Sequence, residues 1–456
     1  MVDVLPIDTP TLGDRSYLAH DGDVAVVIDP QRDVDRVSDL AAQLGVRVTH
    51  VAETHIHNDY VTGGLALAEA AGASYLVNGA DPVRFSRTPV QDGDVVPIGP
   101  EMRLRVLATP GHTFTHLAYV LETAGAPAGV FTGGSLLYGS TGRPDLLGPD
   151  STPALARAQY RSAHRLAAEL PDTVPVYPTH GFGSFCAATQ AEGLSSTIGR
   201  EKQVNPALTR EERSYVEALL AGLDVWPAYY AHMAPANTAG PAAPDLSPPH
   251  RADPAELRRR IEAGEWVVDL RDRVAFAAGF LPGSVSFPLD GSFATYLGWV
   301  LPWGTPLTLL GATPGQVSEA QRELVRIGID RPAATATGQP ADWAGGQPLG
   351  RLRLAKFGDL AAARQASGPD GGLVVLDVRR QLEWADEHIE GAVHIPLHEL
   401  RSRLGEVPPG EVWVHCHSGY RALAAASLLI APGRQVISVD DDFGNAGTAG
   451  LPLARG

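Results

Sequence analysis

Cysteine is scarce in this chain. Only two of the 456 residues are cysteines, Cys186 and Cys416, and they fall in different predicted domains. Small secreted domains that are stapled by disulfides carry many more, so no disulfide framework is expected here. The reducing cytoplasm is therefore the predicted environment of the protein.

Long apolar runs and clusters of positive charge are missing as well. No apolar run approaches the roughly 18 residues that a membrane helix needs, and no secretory leader pattern opens the chain. The formal net charge is -16, from 36 Lys and Arg against 52 Asp and Glu. Nucleic acids and anionic membranes, which require concentrated positive charge, are therefore not predicted partners.

Two histidines and an aspartate stand close together behind a predicted strand. The run 46–52 is rich in valine and predicts a strand, and His55, His57 and Asp59 follow it in a loop. Loops at strand ends usually carry the chemistry of α/β proteins, and imidazole nitrogens there can converge on one ion. We therefore predict a metal site in this loop.

Two further histidines, His112 and His180, each follow another strand-like run. This order of residues resembles the metallo-β-lactamase fold superfamily, whose motif is His-x-His-x-Asp-His, then a distal His, a bridging Asp and a last His. The resemblance covers roughly the first half of the chain and implies a four-layer αββα domain. Two ligand positions depart from the family pattern, because Tyr60 replaces a histidine and Gly134 replaces the bridging aspartate. A centre with two metal ions is therefore not expected.

Within that superfamily the chain is more similar to one branch than to the others. The runs 111–113, 142–146 and 180–184 resemble persulfide dioxygenases, which oxidise glutathione persulfide to sulfite. The resemblance implies a mononuclear Fe(II) centre with open positions for dioxygen and a thiolate.

The ligands of that family correspond to particular residues of this chain. Its two histidines and one aspartate correspond to His55, His112 and Gly134, and Arg143 corresponds to an arginine of the substrate region. Glycine offers no side chain, so our hypothesis is that His57 replaces the missing carboxylate. The extra positive charge of such a centre should tighten thiolate binding.

The predicted metal set has five members: His55, His57, His112, Asp59 and His180. Fe(II) is the expected metal and Zn(II) is the alternative. A metal-free domain is a third alternative, because Gly134 and Tyr60 stand at ligand positions. His116 is interpreted as a histidine that supports the ligands, and Cys186 as a buried packing residue.

A second candidate centre lies near the end of the chain. A strand-like run at 412–415 leads into Cys416, and Arg421 closes the loop. Inward-pointing backbone N–H groups, Arg421 and a helix N-terminus can stabilise a thiolate or a persulfide there, so Cys416 is the predicted nucleophile. The loop resembles the active loop of rhodanese sulfurtransferases, and this resemblance covers about 350 to 456.

An internal repeat accompanies this loop. The segments 266–271 and 279–285 echo 374–379 and 388–393, which indicates two consecutive rhodanese-like units. The first unit has Gly311-Ala312-Thr313 where the cysteine is expected, so it cannot form a persulfide. We predict that this unit has a structural role.

The predicted fold class is α/β, with a lactamase-like αββα domain followed by two three-layer rhodanese-like domains. The boundaries are 1–235 for the lactamase-like domain, 236–250 for a linker rich in proline and alanine, 251–349 for the rhodanese-like domain without cysteine, and 350–456 for the rhodanese domain with Cys416.

We predict an enzyme of sulfur metabolism, in which a persulfide dioxygenase-like metal domain is coupled to a rhodanese sulfurtransferase. One alternative is a sulfurtransferase or persulfide carrier whose lactamase-like domain is a metal-free scaffold. A further alternative is a thioester hydrolase of the glyoxalase II kind. Glutathione persulfide and thiosulfate are the expected small-molecule partners, and the relatives suggest a homodimer.

Overall fold

The computed structural model describes residues 2–188, 193–368 and 372–456. The chain divides into two compact units. The N-terminal unit contains Met1–Asp245 with Val325–Gly328, and the C-terminal unit contains Leu246–Leu324 with Ile329–Gly456. The two rhodanese-like repeats belong to one unit, and the boundaries predicted between individual domains stay predictions.

The N-terminal unit is built on two six-stranded sheets. The first sheet contains β1 (Asp3–Thr9), β2 (Asp14–His20), β3 (Val24–Ile28), β4 (Arg47–Ala52), β5 (Ser74–Asn78) and β6 (Thr88–Val90). The second contains β7 (Val95–Pro97), β8 (Met102–Ala108), β9 (Leu117–Thr123), β10 (Ala126–Gly133), β11 (Pro175–Pro178) and β12 (Ser196–Thr197). In both sheets the strands lie side by side in chain order. Pairing is parallel from β3 to β6 and between β10 and β11, and antiparallel elsewhere.

Helices cover the outer face of each sheet of this unit. They are α1 (Asp35–Leu44), α2 (Gly64–Ala71), α3 (Thr152–Glu169), α4 (Ile198–Val204), α5 (Pro206–Thr209), α6 (Glu212–Ala221) and α7 (Tyr230–Ala239). All five residues of β3 are buried, because successive side chains of a strand point to opposite faces and both faces are covered here.

Three buried clusters separate the layers. Val26 packs with Leu104 and Phe131 between the two sheets. Val27 packs on the other face of the first sheet with Val37 of α1 and Leu67 of α2, and α3 to α6 cover the second sheet in the same way. The predicted four-layer αββα arrangement is confirmed.

The C-terminal unit contains two parallel sheets. The first repeat has α8 (Pro254–Glu262), β13 (Trp266–Asp269), α9 (Arg273–Ala278), β14 (Val285–Ser286), α10 (Phe293–Val300), β15 (Leu307–Gly311), α11 (Pro314–Arg326), β16 (Ala334–Thr337) and α12 (Pro340–Ala344). Its strand order is β14-β13-β15-β16. Asp253 caps the N-terminus of α8: its side chain accepts a hydrogen bond from the Glu256 N–H, and proline follows at the first helical position.

The second repeat has the same pattern with more elements. They are β17 (Arg353–Ala355), α13 (Phe357–Ser367), β18 (Leu373–Asp377), α14 (Gln381–Asp386), β19 (His388–Ile389), β20 (Val393–His394), α15 (Leu397–Leu400), a 3₁₀ turn (Leu404–Glu406), β21 (Glu411–His415), α16 (Tyr420–Leu429), β22 (Gln435–Val439), α17 (Asn445–Thr448) and β23 (Leu453–Ala454). The main sheet has the order β17-β22-β21-β18-β20 and is parallel throughout, while β19 pairs antiparallel with β23. The predicted α/β class is confirmed for this unit too.

The segment predicted as a linker begins inside a helix. Helix α7 continues to Ala239, although the sequence there is rich in alanine and contains Pro235. The buried Asn237 anchors this helix, because its amide donates to the carbonyl oxygens of His57 and Tyr60. Across the described residues, no helix combines the length and the apolar character that crossing a bilayer requires.

Candidate active sites

The five predicted metal ligands lie in three loops that leave the carboxyl ends of strands. His55, His57 and Asp59 follow β4, His112 follows β8, and His180 follows β11. Each of the five is at most 2% exposed. We call these five residues the histidine centre. Loops from both sheets thus supply its side chains, as expected for chemistry at strand ends.

Three of the histidines form one possible ligand group. Each of His55, His112 and His180 offers a ring nitrogen, and these atoms lie within 4.8 Å of one another. The Nε2 atoms of His55 and His180 are 3.4 Å apart. The structure therefore groups His180, rather than His57, with His55 and His112.

Hydrogen bonds at Nδ1 of His112 and His180 determine which ring nitrogen of each can bind a metal ion. Nδ1 of His112 is 2.8 Å from the Arg143 carbonyl oxygen, which can only accept, so Nδ1 carries the proton. Nδ1 of His180 likewise faces the Asp14 carboxylate at 2.9 Å. A histidine that donates from one ring nitrogen presents a lone pair at the other, which is the arrangement typical of metal ligands.

Burial and charge set the protonation of these two rings. Burial, with the nearby His180, lowers the pKa of His112 to about 3, so this ring is neutral near pH 7. Burial also lowers the pKa of His180, but the Asp59 and Asp14 carboxylates outweigh it and raise the pKa to about 9. A metal ion must therefore displace a proton from His180.

His57 occupies a different environment. Its Nε2 lies 3.2 Å from a Glu53 oxygen and 3.3 Å from an Asp29 oxygen. Burial lowers the pKa of His57, but Asp29 and Glu53 overcome it and raise the pKa to about 10. The Tyr60 hydroxyl is 3.0 Å from the same nitrogen and donates to the Asp29 carbonyl oxygen, so the tyrosine that replaces a family histidine supports His57. A second possible ligand group consists of His57, Asp59 and His180.

Gly134 stands where the family has its bridging aspartate, and the ring of His112 packs directly against it. A Cβ added at Gly134 would lie 2.5 Å from Cδ2 of His112, closer than real Cβ contacts allow. The Gly134 N–H donates to Nε2 of His116 at 2.9 Å, so His116 supports the loop, as interpreted from the sequence. The glycine and the position of His112 therefore depend on each other.

The donor atoms fit a transition metal. Among the described residues, His57 Nδ1, Asp59 Oδ1 and His112 Nε2 are buried without a hydrogen-bond partner. Leaving a buried polar atom unpaired costs about 1–3 kcal/mol, so several of them in one cluster point to a bound cation. Three imidazoles with an adjacent carboxylate suit Fe(II) or Zn(II), and hard cations such as Mg²⁺ prefer oxygen.

Arg143 is fully engaged by the protein itself. Its guanidinium forms two hydrogen bonds of 2.7 Å to Asp145, and it also donates to the carbonyl oxygens of Phe185 and Asp224. Together with its carbonyl bond to His112, this makes Arg143 a support of the histidine centre. Its predicted contact with substrate stays a prediction.

The cysteine loop, which we define as residues 416–421, lies between β21 and α16 of the second repeat. Cys416 is buried, and the Gly419 N–H donates to its Sγ at 3.1 Å. Gly419 has a φ of +96°, a conformation that glycine adopts readily and other residues rarely do. The loop thus turns a backbone N–H towards the sulfur, which favours a thiolate or persulfide anion.

Arg421 makes a contact that the sequence did not reveal. Its guanidinium donates to both oxygens of Glu383, at 2.6 and 2.7 Å. Burial raises the pKa of Glu383, but the bond to Arg421 prevails and lowers it to about 2. The two charges largely neutralise each other, so Arg421 fixes the end of the cysteine loop.

The first repeat has the same aspartate–arginine pair as the second repeat, but its loop after β15 contains no cysteine. Asp269 pairs with Arg271 at 2.6 Å, as Asp377 pairs with Arg379 at 2.6 Å in the second repeat. Its loop after β15 is held instead by Gln316, whose side-chain oxygen accepts from the Ala312 N–H.

Cys186 belongs to the N-terminal unit and is also buried. Burial raises the pKa of its thiol, and the Asp59 and Asp14 carboxylates add to the rise. A protonated thiol is a poor nucleophile, which agrees with the packing role expected from the sequence.

Two family models match the chain: the metallo-beta-lactamase superfamily over residues 12–180 and the rhodanese-like domain over residues 359–445. The chain is 29% identical over 213 residues to the mitochondrial persulfide dioxygenase ETHE1 of Homo sapiens, covering 46% of this chain and 75% of that protein. It is 32% identical over 254 residues to a hydroxyacylglutathione hydrolase of Cupriavidus taiwanensis, covering 48% of this chain and 91% of the relative.

Among solved structures, a metallo-beta-lactamase from Staphylococcus aureus superposes with a TM-score of 0.66 at 29% identity, covering 74% of this chain and 99% of the other. The resemblances stated from the sequence are confirmed. The chain belongs to the metallo-beta-lactamase superfamily and carries a rhodanese-like domain in its C-terminal part.

Proposed function

We propose that this protein oxidises a low-molecular-weight persulfide at the histidine centre and transfers sulfane sulfur at Cys416. The observation that carries the first activity is the convergence of the buried nitrogens of His55, His112 and His180 within 4.8 Å. Similarity to human persulfide dioxygenase supports the substrate class.

The residues of the histidine centre would hold one Fe(II) ion. Ferrous iron, when bound, supplies the electron chemistry with dioxygen that protein side chains lack. His112 keeps a lone pair available because the Arg143 carbonyl oxygen accepts the proton on its other nitrogen. Asp14 holds the corresponding proton of His180, whose second ring nitrogen becomes available once a metal ion displaces its proton. The overall reaction balances as persulfide + O2 + H2O giving thiol + sulfite + 2 H⁺.

The cysteine loop supports the second activity. The Cys416 thiolate attacks the sulfane sulfur of thiosulfate, a Cys416 persulfide forms, and sulfite leaves with the electron pair of the broken S–S bond. An acceptor thiolate then takes the sulfur and regenerates the Cys416 thiolate. The product of that step is a persulfide, which is the substrate class of the histidine centre, so one chain can carry out consecutive reactions.

Thioester hydrolysis is the second candidate for the N-terminal unit, because the hydroxyacylglutathione hydrolase of Cupriavidus taiwanensis is similar along 91% of its own length. Gly134 removes a carboxylate that both kinds of centre use to bind metal, so the measured activity decides between oxidation and hydrolysis.

The experiment that tests the proposal measures sulfite release and oxygen uptake with glutathione persulfide, together with sulfur transfer from thiosulfate to cyanide. Both activities are expected in the wild-type protein. Transfer without oxygen uptake would instead make the N-terminal unit a scaffold. Hydrolysis of S-lactoylglutathione in place of oxygen uptake would establish the hydrolase.

A further inference from the structure

The cysteine loop lies against the Asp440 carboxylate of its own repeat. Asp440 is the first residue after β22. A Cβ added at Gly419 would clash with Oδ1 of Asp440, so glycine leaves the room that the carboxylate occupies. Gly419 is also the residue whose N–H donates to Sγ of Cys416 at 3.1 Å. One residue of the loop therefore contacts both the carboxylate and the sulfur.

The charged partner of that carboxylate comes from the repeat that lacks a cysteine. Nε of Arg273, the first residue of α9, donates to Oδ1 of Asp440 at 2.8 Å, and this is the same oxygen that faces Gly419. Asp290, in the repeat of Arg273 itself, is farther away at 3.9 Å. The side chains of Arg273 and Asp440 are 29% and 19% exposed, so the solvent screening that weakens surface ion pairs is reduced here. An ion pair between the repeats thus holds the carboxylate against the cysteine loop.

The first repeat also contacts helix α16, which begins inside the cysteine loop. The Tyr420 hydroxyl donates to the Pro288 carbonyl oxygen at 3.1 Å, and the Ser286 N–H donates to the Ser427 hydroxyl oxygen at 3.0 Å. Pro288 and Ser286 belong to the first repeat, and Ser427 belongs to α16. The first repeat thus supports α16, and Arg273 is its charged contact with the residues around Gly419.

The Gly419 N–H matters most when sulfur leaves Cys416. In the second half of transfer an acceptor attacks the outer sulfur of the Cys416 persulfide. The S–S bond breaks, its electron pair goes to Sγ, and the outer sulfur leaves with the acceptor. A backbone N–H that points at Sγ stabilises the thiolate as this charge forms. The rate of this step therefore depends on the position of Gly419.

We propose that Arg273, supplied by the repeat without a cysteine, positions the cysteine loop by holding the Asp440 carboxylate against Gly419, which keeps the Gly419 N–H directed at Cys416. This inference rests on the proposed sulfurtransferase activity. It makes Arg273 a positioning residue that acts through Asp440. The first repeat then takes part in sulfur transfer although it carries no cysteine.

The test follows a single discharge of sulfur from the full-length protein. Cys416 is loaded with thiosulfate, excess donor is removed, and thiocyanate formation is measured after rapid mixing with cyanide. The variants are Arg273→Gln, Arg273→Lys, Asp440→Ala, and Arg273→Gln combined with Asp440→Ala. Arg260→Gln is the matched control, because Arg260 forms ion pairs of 2.7 Å with two glutamates of the first repeat. Urea unfolding of every variant is recorded alongside.

Discharge by Arg273→Gln should slow about ten-fold, because the hydrogen bond to the developing thiolate weakens when Gly419 is no longer held. Arg273→Lys keeps the positive charge and should discharge within about three-fold of the wild type. Asp440→Ala should be slowed by a similar factor to Arg273→Gln. The double variant should be no slower than Asp440→Ala, because Arg273 acts through Asp440. Arg260→Gln should discharge at the wild-type rate.

Wild-type discharge by Arg273→Gln would overturn the inference. A loss that adds to that of Asp440→Ala, or one that Arg260→Gln reproduces with an equal loss of urea resistance, would also overturn it, because Arg273 would then only stabilise the fold. Asp440→Ala that discharges normally has the same meaning, and this variant decides the matter even where Arg273→Gln does not fold. Wild-type protein that takes up no sulfur from thiosulfate would instead contradict the proposed sulfurtransferase activity, so the two failures are distinguishable.

Discussion

The histidine centre and the cysteine loop differ in whether their buried polar groups have hydrogen-bond partners. In the histidine centre three atoms that could bind a metal, on His57, Asp59 and His112, have no hydrogen-bond partner among the described residues. In the cysteine loop the guanidinium of Arg421 is satisfied by both oxygens of Glu383, and the sulfur of Cys416 accepts a backbone hydrogen bond.

This difference indicates what each centre needs. The first carries unpaired donor atoms whose cost is removed when a cation binds, so its chemistry should depend on metal. In the second centre the protein itself supplies the hydrogen-bond partners, so sulfur transfer should continue after metal removal. Variants and conditions that remove the activity of one centre and leave that of the other test this difference in metal dependence.

The largest expected effect belongs to Cys416→Ser. Transfer from thiosulfate to cyanide should fall by at least about 1,000-fold, because the atom that carries the sulfur is gone. Oxygen uptake with glutathione persulfide should stay within about two-fold of the wild type. Cys186→Ser is the matched control and should transfer sulfur normally, since its thiol is held protonated.

Loss of a metal-binding histidine should abolish persulfide oxidation and leave sulfur transfer intact. His112→Ala and His180→Ala should each lower bound iron at least about ten-fold and remove sulfite production, while sulfur transfer persists. His57→Ala should retain more iron, because His57 is paired with carboxylates. His164→Ala, at an exposed histidine of the same unit, is the control. Equal iron loss in all three ligand variants would show that His57 is a primary ligand as well.

Gly134→Ala tests the dependence between the glycine and His112. The added methyl would lie 2.5 Å from the imidazole and must displace it, so iron affinity should fall about ten-fold although no ligand is removed. Gly222→Ala is the control, because its Cβ would meet only ordinary contacts at 3.5 Å and beyond. Full iron binding by Gly134→Ala would mean that the ring has room to move.

The smallest effect concerns the ion pair of the cysteine loop at low pH. Folding lowers the pKa of Glu383 from 4.5 to about 2, so its contribution to stability is present above pH 4.5 and is lost as the pH falls towards 2. The shift corresponds to about 3 kcal/mol as an order of magnitude. Glu383→Gln should remove this contribution, so the difference in urea resistance between the variant and the wild type should shrink between pH 5 and pH 3. Residual sulfur transfer after urea treatment measures it, and a difference independent of pH would contradict the assignment.

Much of this arrangement could be predicted from the sequence, because the reactive residues directly follow strands and strand ends gather at one edge of a sheet. His55, His112, His180 and Cys416 were all identified in this way. Which histidines form one possible ligand group was harder to predict from the sequence, because it depends on the orientation of rings from segments that are distant in the chain. No local pattern indicates that the ring nitrogens of His180, rather than those of His57, form a possible ligand group with His55 and His112.

Two supporting residues were missed for related reasons. Asn237 lies in a stretch whose proline and alanine content predicts a linker, and only its bonds to the loop of His57 reveal its role. Glu383 precedes Arg421 by 38 positions, so their ion pair exists only in the folded repeat. In both cases tertiary contacts decided what composition and spacing could not.

Iron dependence of persulfide oxidation is tested most directly by the metal content of protein purified without oxygen, measured by elemental mass spectrometry together with oxygen uptake on addition of glutathione persulfide. We expect close to one iron per chain, oxygen uptake, and loss of both on chelation while sulfur transfer continues. Metal-free protein that takes up no oxygen, even after reconstitution with Fe(II), would contradict this expectation and leave Cys416 as the working centre.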